Sequence, residues 1–141
     1  MVKEPFRILL IDDSPNRMTV CRNALRKDGY EIRILPGCQF LKKTLYGFRP
    51  HLVFINDYTP DLSGLLGIIT IKMDRCFRRL PVIYFSDEQY KIDLAAAAGA
   101  DQYLFKPAER AEMPGIAAIS FFSRQKRRNC LFEEIEVSPV R

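Results

Sequence analysis

Four short segments carry the residue types that could do chemistry: Asp12-Asp13, Asn56-Asp57, Ser86-Asp87 and Lys106-Pro107. Each closely follows a short apolar run, F-R-I-L-L-I, H-L-V-F-I, V-I-Y-F and the Y-L-F of residues 103–105. Paired carboxylates beside a side-chain amide oxygen suit a hard divalent cation such as Mg²⁺. A hydroxyl and an ammonium opposite them would hold phosphate oxygens. Together these groups describe phosphoryl handling. Zinc chemistry is disfavoured, because Cys21, Cys38, Cys76 and Cys130 form no C-x-x-C pair and His51 is the single histidine. Reduced cysteines filling apolar gaps are the expectation.

Short buried strands alternating with helices would bring those segments together. Phe6–Ile11, Tyr30–Leu35, His51–Ile55, Val82–Phe85 and Gln102–Phe105 read as strands, mostly continuous apolar runs as expected for a sheet covered on both faces. Between them, Ser14-Pro15 starts a first helix through Met18, Cys21 and Leu25, which Gly29 ends. Phe40, Leu41, Thr44 and Leu45 make a second helix closed by Gly47. Leu65, Ile68, Ile69, Lys72, Met73 and Phe77 line a third that ends before Pro81. Ser86-Asp87-Glu88 opens a fourth that Gly99 stops, and 114–127 forms a last one. Strand–helix alternation implies parallel strands joined by crossovers, with helices on both faces of one sheet. In such a sheet the loops after the strand carboxyl ends gather on one rim, where ligands bind.

The 141 residues, 48% hydrophobic and 28% charged, suit one soluble α/β domain and argue against disorder. No run is apolar and long enough to span a bilayer, and no secretory leader is seen, so a cytoplasmic protein without membrane association is expected. A net charge of +5 is too small to name nucleic acid as a partner. The run Arg124-Gln125-Lys126-Arg127-Arg128 is the cationic end that a helix C-terminus prefers, so nucleic-acid binding is not expected of it either. Residues 1–128 are read as the domain, and 129–141 as a tail in which Ile135 and Val137 alternate with acids, either a mobile terminus or a strand donated to a partner.

Over residues 6–127 the chain resembles the receiver domain of two-component response regulators. The resemblance implies a doubly wound five-stranded parallel sheet, (βα)5, of order 2-1-3-4-5. It implies that Asp12 and Asp13 are the Mg²⁺-holding acidic pair. Ser86 and Lys106 become the groups that contact a phosphoryl group, Pro107 follows a cis peptide, and Tyr103 is the aromatic that couples to the hydroxyl. Gly99-Ala100-Asp101 is also familial. The departure is at the phosphoacceptor. Counting back four from Pro60 and eight from Gly64 lands on Asn56, and so does counting thirty back from Ser86. A neutral amide is a poor nucleophile, so the pocket is expected to be chemically silent, a pseudo-receiver and not an enzyme. Weak Mg²⁺ binding by Asp12, Asp13 and Asn56, with the backbone of Tyr58, is expected, because fewer anionic ligands lower affinity.

Asp57 is the alternative acceptor, although strand alternation should turn it from the acid pair. A phosphohydrolase with Asp12 as nucleophile is a third reading, against which the receiver-like second half weighs. The implied partners are a histidine kinase or a downstream signalling protein in a phosphorelay, with the fourth helix, fifth strand and fifth helix as the contact and homodimer face. His51 is read as structural.

Overall fold

The computed structural model describes residues 5–58 and 61–105. Lys106, Pro107, the expected last helix, the basic run, Cys130 and the tail lie outside the described residues, as does Pro60. Five parallel strands, β1 (Arg7–Asp12), β2 (Glu31–Leu35), β3 (Leu52–Asp57), β4 (Val82–Ser86) and β5 (Gln102–Phe105), form one sheet of order β2-β1-β3-β4-β5. Four helices connect them: α1 (Pro15–Lys27), α2 (Leu41–Phe48), α3 (Ser63–Met73) and α4 (Gln89–Ala98). No helix among the described residues is long and apolar enough to cross a membrane.

Strand alternation divides the core into two layers. Ile8, Leu10, Leu52, Phe54, Ile83 and Phe85 face α1 and its buried Leu25. Leu9, Ile11, Val53, Ile55, Val82 and Tyr84 face α2, α3 and α4, against Leu45, Ile68 and Ala95. Gly29 and Gly99 follow α1 and α4 with φ of 90° and 105°, a left-handed conformation that costs glycine little.

Three boundaries differ from the sequence expectation. Gly47 lies inside α2, which continues one residue to bury Phe48 and is closed by Arg49 at φ 53°. That strained conformation is held from several sides. The Arg49 N–H donates to Leu45 O at 2.9 Å, its carbonyl accepts the Arg7 Nε–H at 2.8 Å, and its guanidinium sits 5.6 Å from the ring centroids of Tyr46 and Phe77.

Phe77 is core but not helical. α3 stops at Met73, and Asp74 organises the next turn by accepting the Cys76 N–H on its carboxylate and the Phe77 and Arg78 N–H groups on its carbonyl. Lastly, β3 runs through Asn56 and Asp57, which lie opposite Phe85 and Ser86 in the ladder, where a loop was expected.

His51 is part of this scaffold. Its Nδ1 accepts the Arg7 N–H at 2.8 Å, and its ring stacks on Phe6 with centroids 4.8 Å apart.

Candidate functional site

Asp12 ends β1 and Asn56 is its direct ladder partner on β3. Asp12 continues the Ile8–Leu10 face and Asn56 the Leu52–Phe54 face, so period-two alternation turns both toward the α1 side. Asn56 Nδ2 donates to Asp12 Oδ2 at 2.7 Å. The other Asp12 oxygen accepts the Ser14 N–H at 2.9 Å, so the β1–α1 turn is tied to the same carboxylate. Asn56 Oδ1 is buried and has no hydrogen-bond partner among the described residues. Asp13 follows at the exposed rim. A crevice of about 30 Å³, large enough for a water or a single ion, is lined by Asp12, Asp13, Asn56, Asp57, Ser63 and Gly64, among others. An orphaned amide oxygen beside two carboxylates is hard-cation donor chemistry, so these residues fit a small divalent ion.

Asp57 belongs to the other face. It continues the Val53–Ile55 row, and its side chain is buried beneath the α2–α4 layer. Tyr84 Oη donates to Asp57 Oδ2 at 2.5 Å, and Lys91 Nζ, itself fully buried, lies 3.5 Å from Asp57 Oδ1. Lys91 also reaches Glu88 Oε2 at 3.8 Å. Burial, and then the neighbouring Asp57 carboxylate, push the Tyr84 phenol well above its ordinary range, so it stays a donor. At Gly64, near the start of α3, an added Cβ would stand 2.5 Å from Asp57 Oδ2. The same carboxylate acts on Cys38, whose thiol is pushed up to about 11 by burial first, and then by the charges of Asp57 and Asp61.

Ser86 is fully buried and is the ladder partner of Asp57, not of Asn56. Its Oγ accepts the Glu88 N–H at 3.1 Å, which shapes the turn into α4. Tyr103 lies opposite Tyr84 on β5 and is 46% exposed. The fold therefore brings Asp12, Asp13 and Asn56 together. Asp57 and Ser86 point to the other face of the sheet from Asn56, with Asp57 still reaching the edge of the rim crevice, while the backbone of Tyr58 simply follows β3.

Tyr84 and Lys91 did not emerge from the sequence. For Lys91 a signal existed: it shares the inward stripe of α4 with Ile92 and Ala95, where a charge needs a buried partner. For Tyr84 nothing distinguished it from an ordinary aromatic of the V-I-Y-F run.

A family model, the response regulator receiver domain, matches residues 8–118. Protein PilG of Pseudomonas aeruginosa is 30% identical over 113 residues, covering 78% of this chain and 83% of that protein. Among solved structures, a CheY-like response regulator receiver domain protein from Methanospirillum hungatei aligns with a TM-score of 0.71 at 18% identity, over 89% of this chain and 99% of the other. The Mn²⁺-bound form of response regulator Rcp1 aligns with a TM-score of 0.65 at 19% identity, over 77% of this chain and 86% of the other. At these identities the structural likeness is one of fold.

Proposed function

The chain belongs to the response regulator receiver domain family, and from that premise we propose that it is a pseudo-receiver: a two-component signalling module that works by binding a partner protein and does not accept a phosphoryl group. The observation that carries this reading is the Asn56–Asp12 hydrogen bond. An aspartate acceptor attacks phosphorus with an anionic oxygen. An amide has no such oxygen, and here its NH₂ end donates to the Asp12 carboxylate and stabilises it. Asp57 offers a carboxylate one residue on, but its two oxygens face Tyr84 and Lys91 beneath the opposite helix layer. Both observations favour a silent site.

Mg²⁺ would be held by Asp12, Asp13 and the unpartnered Asn56 Oδ1, with one anionic ligand fewer than an all-carboxylate trio and hence weakly. When bound, the ion would neutralise the paired carboxylates. Response regulator Rcp1, of the same fold, has been solved in a Mn²⁺-bound form, so the fold is compatible with a divalent cation. The partner, a histidine kinase or a downstream effector, would use α4 and β5, where Tyr90, Leu94, Tyr103 and Phe105 are exposed. A cytoplasmic location and no role for nucleic acid complete the reading.

Incubation of the intact chain with Mg²⁺ and a small acyl phosphate tests it. The expected result is an unchanged intact mass. A hydroxylamine-labile adduct of one phosphoryl group would overturn the proposal, and loss of that adduct in Asp57→Asn would assign the chemistry to Asp57.

A further inference from the structure

α3 reads S-G-L-L-G-I-I-T-I-K-M, with Lys72 as its one charged residue. A helix covering one face of a sheet needs a single apolar stripe, with polar residues on the solvent side. Here Leu65, Ile68 and Ile71 fill the inward stripe and are buried. The outward side is apolar as well: Leu62, Leu66, Ile69 and Met73 are 50%, 60%, 39% and 78% exposed. α3 is also the middle helix of its layer, since the chain order places it between α2 and α4 on one face, so the stripe lies across the centre of that face. Four such side chains make a patch in the range of the largest found on monomers, roughly 300–600 Å². Nothing in the receiver chemistry accounts for it.

Two features of the stripe point to its occupant. The successive separations of Leu62, Leu66, Ile69 and Met73 are four, three and four residues, so the pattern reads the same from either end. The flanking charges are opposite: exposed Asp61, whose Oδ1 also accepts the Ser63 N–H and hydroxyl, precedes the stripe, while exposed Arg75, Arg78 and Arg79 follow it. Among the described residues, none of these three arginines is paired with a carboxylate. Asp74, the acid among them, is committed to the Tyr46 hydroxyl and the Cys76 N–H, and Lys42 adds a further cation 3.9 Å from it. Opposite charges at the two helix ends also answer the helix dipole, but the dipole does not call for apolar residues between them.

We infer that the outer face of α3 is a homodimer contact, on which a second copy of this chain docks with its own α3 antiparallel. A twofold axis through the middle of the helix sets Leu62 against Met73 of the second copy and Leu66 against Ile69. It also brings Asp61 of each copy to the arginine turn of the other. Such an interface is isologous, each contact occurring twice. An anionic membrane or an acidic helix would satisfy the arginines but would be repelled by Asp61. The patch is at the small end for stable assemblies, so the dimer is concentration-dependent. It leaves α4 and β5 to a partner, and it does not depend on what happens at Asn56.

Sedimentation velocity of the full chain over a concentration series tests the inference. A reversible monomer–dimer transition is expected. Leu66→Glu should weaken it about tenfold or more while leaving the melting temperature nearly unchanged, because the side chain is exposed. Asp61→Arg alone and Arg75→Asp alone should each weaken it, and the double exchange should restore it. In a chain carrying Cys76→Ser, Leu66→Cys with Ile69→Cys should trap a disulfide-linked dimer under mild oxidation. A chain that stays monomeric at high micromolar concentration would overturn the inference. So would a dimer indifferent to Leu66→Glu, or a charge exchange that fails to rescue. Binding of the monomer to phosphatidylserine vesicles, abolished by Leu66→Glu, would instead assign the stripe to a membrane and also overturn it.

Discussion

The side-chain amide of Asn56 donates to the Asp12 carboxylate at 2.7 Å from the directly opposite position of the neighbouring parallel strand. This is a contact that an ionised aspartate at residue 56 could not make. It binds the end of β3 to the end of β1 and gives Asp12 a hydrogen-bond donor where an aspartate would add a further negative charge. Under the pseudo-receiver reading proposed above, residue 56 is the position of the phosphoacceptor.

Replacing Asn56 by aspartate should therefore cost stability. Asn56→Asp removes the donor and sets two carboxylates against each other, a loss of about 1–3 kcal/mol in metal-free buffer. Mg²⁺ should return most of that loss to the variant and change the wild type little. Urea denaturation with and without Mg²⁺ measures both. Equal responses of the two proteins to Mg²⁺ would contradict the account.

The Lys91–Asp57 pair should behave as a unit. Lys91→Met leaves the Asp57 carboxylate buried without its cation and should destabilise the fold by about 3–5 kcal/mol. Asp57→Asn combined with Lys91→Met should cost much less than the two single losses added together. A double-mutant cycle from chemical denaturation gives this coupling, and additive losses would mean that the two groups do not interact.

Gly64→Ala sets helix propensity against sterics. Near the start of a helix, alanine for glycine should help by up to ~1 kcal/mol. The added Cβ, however, would stand 2.5 Å from Asp57 Oδ2, which Tyr84 holds while Lys91 faces the other oxygen. The clash should win, with a net loss of roughly 1–3 kcal/mol. Asp57→Ala in the same chain should remove the penalty, as thermal unfolding of the single and double variants would show.

Cys38 should be slow to react. With its thiol pushed from 9.0 up to about 11, only about one molecule in a thousand carries the thiolate at pH 8. Iodoacetamide at that pH should modify the exposed Cys76 well before Cys38, as peptide mapping would reveal. The raised value also has a stability sign. Between pH 9 and 11 the folded state holds a proton that the unfolded state has lost, so this contribution is complete below about pH 9 and is lost as pH rises toward 11. Asp57→Asn removes one of the charges responsible and should speed alkylation of Cys38.

Much of this architecture is legible in the chain. Apolar runs punctuated by Asp12-Asp13, Ser86-Asp87 and Lys106-Pro107 announce alternating strands and helices, and Gly29 and Gly99 end α1 and α4 with positive φ. Local signals misled where tertiary packing outweighed them. Gly47 looked like the end of α2, but burial of Phe48 carried the helix past it to Arg49. Phe77 kept the helical spacing of α3 yet enters the core from a turn built on Asp74. Asn56 and Asp57 resembled the start of a loop, but ladder pairing with Phe85 and Ser86 extended the strand through both.

The opposite orientations of Asn56 and Asp57 follow from order in the chain alone, because successive strand residues cannot share a face. What each side chain meets there depends on residues far away in sequence. Asp12 came to Asn56 through the pairing of β1 with β3, and Tyr84 and Lys91 came to Asp57 through β4 and the docking of α4. Periodicity records which face a residue occupies. Only the packed elements decide its neighbours, because contacts between strands and crossover helices join segments tens of residues apart, whose meeting no local pattern encodes.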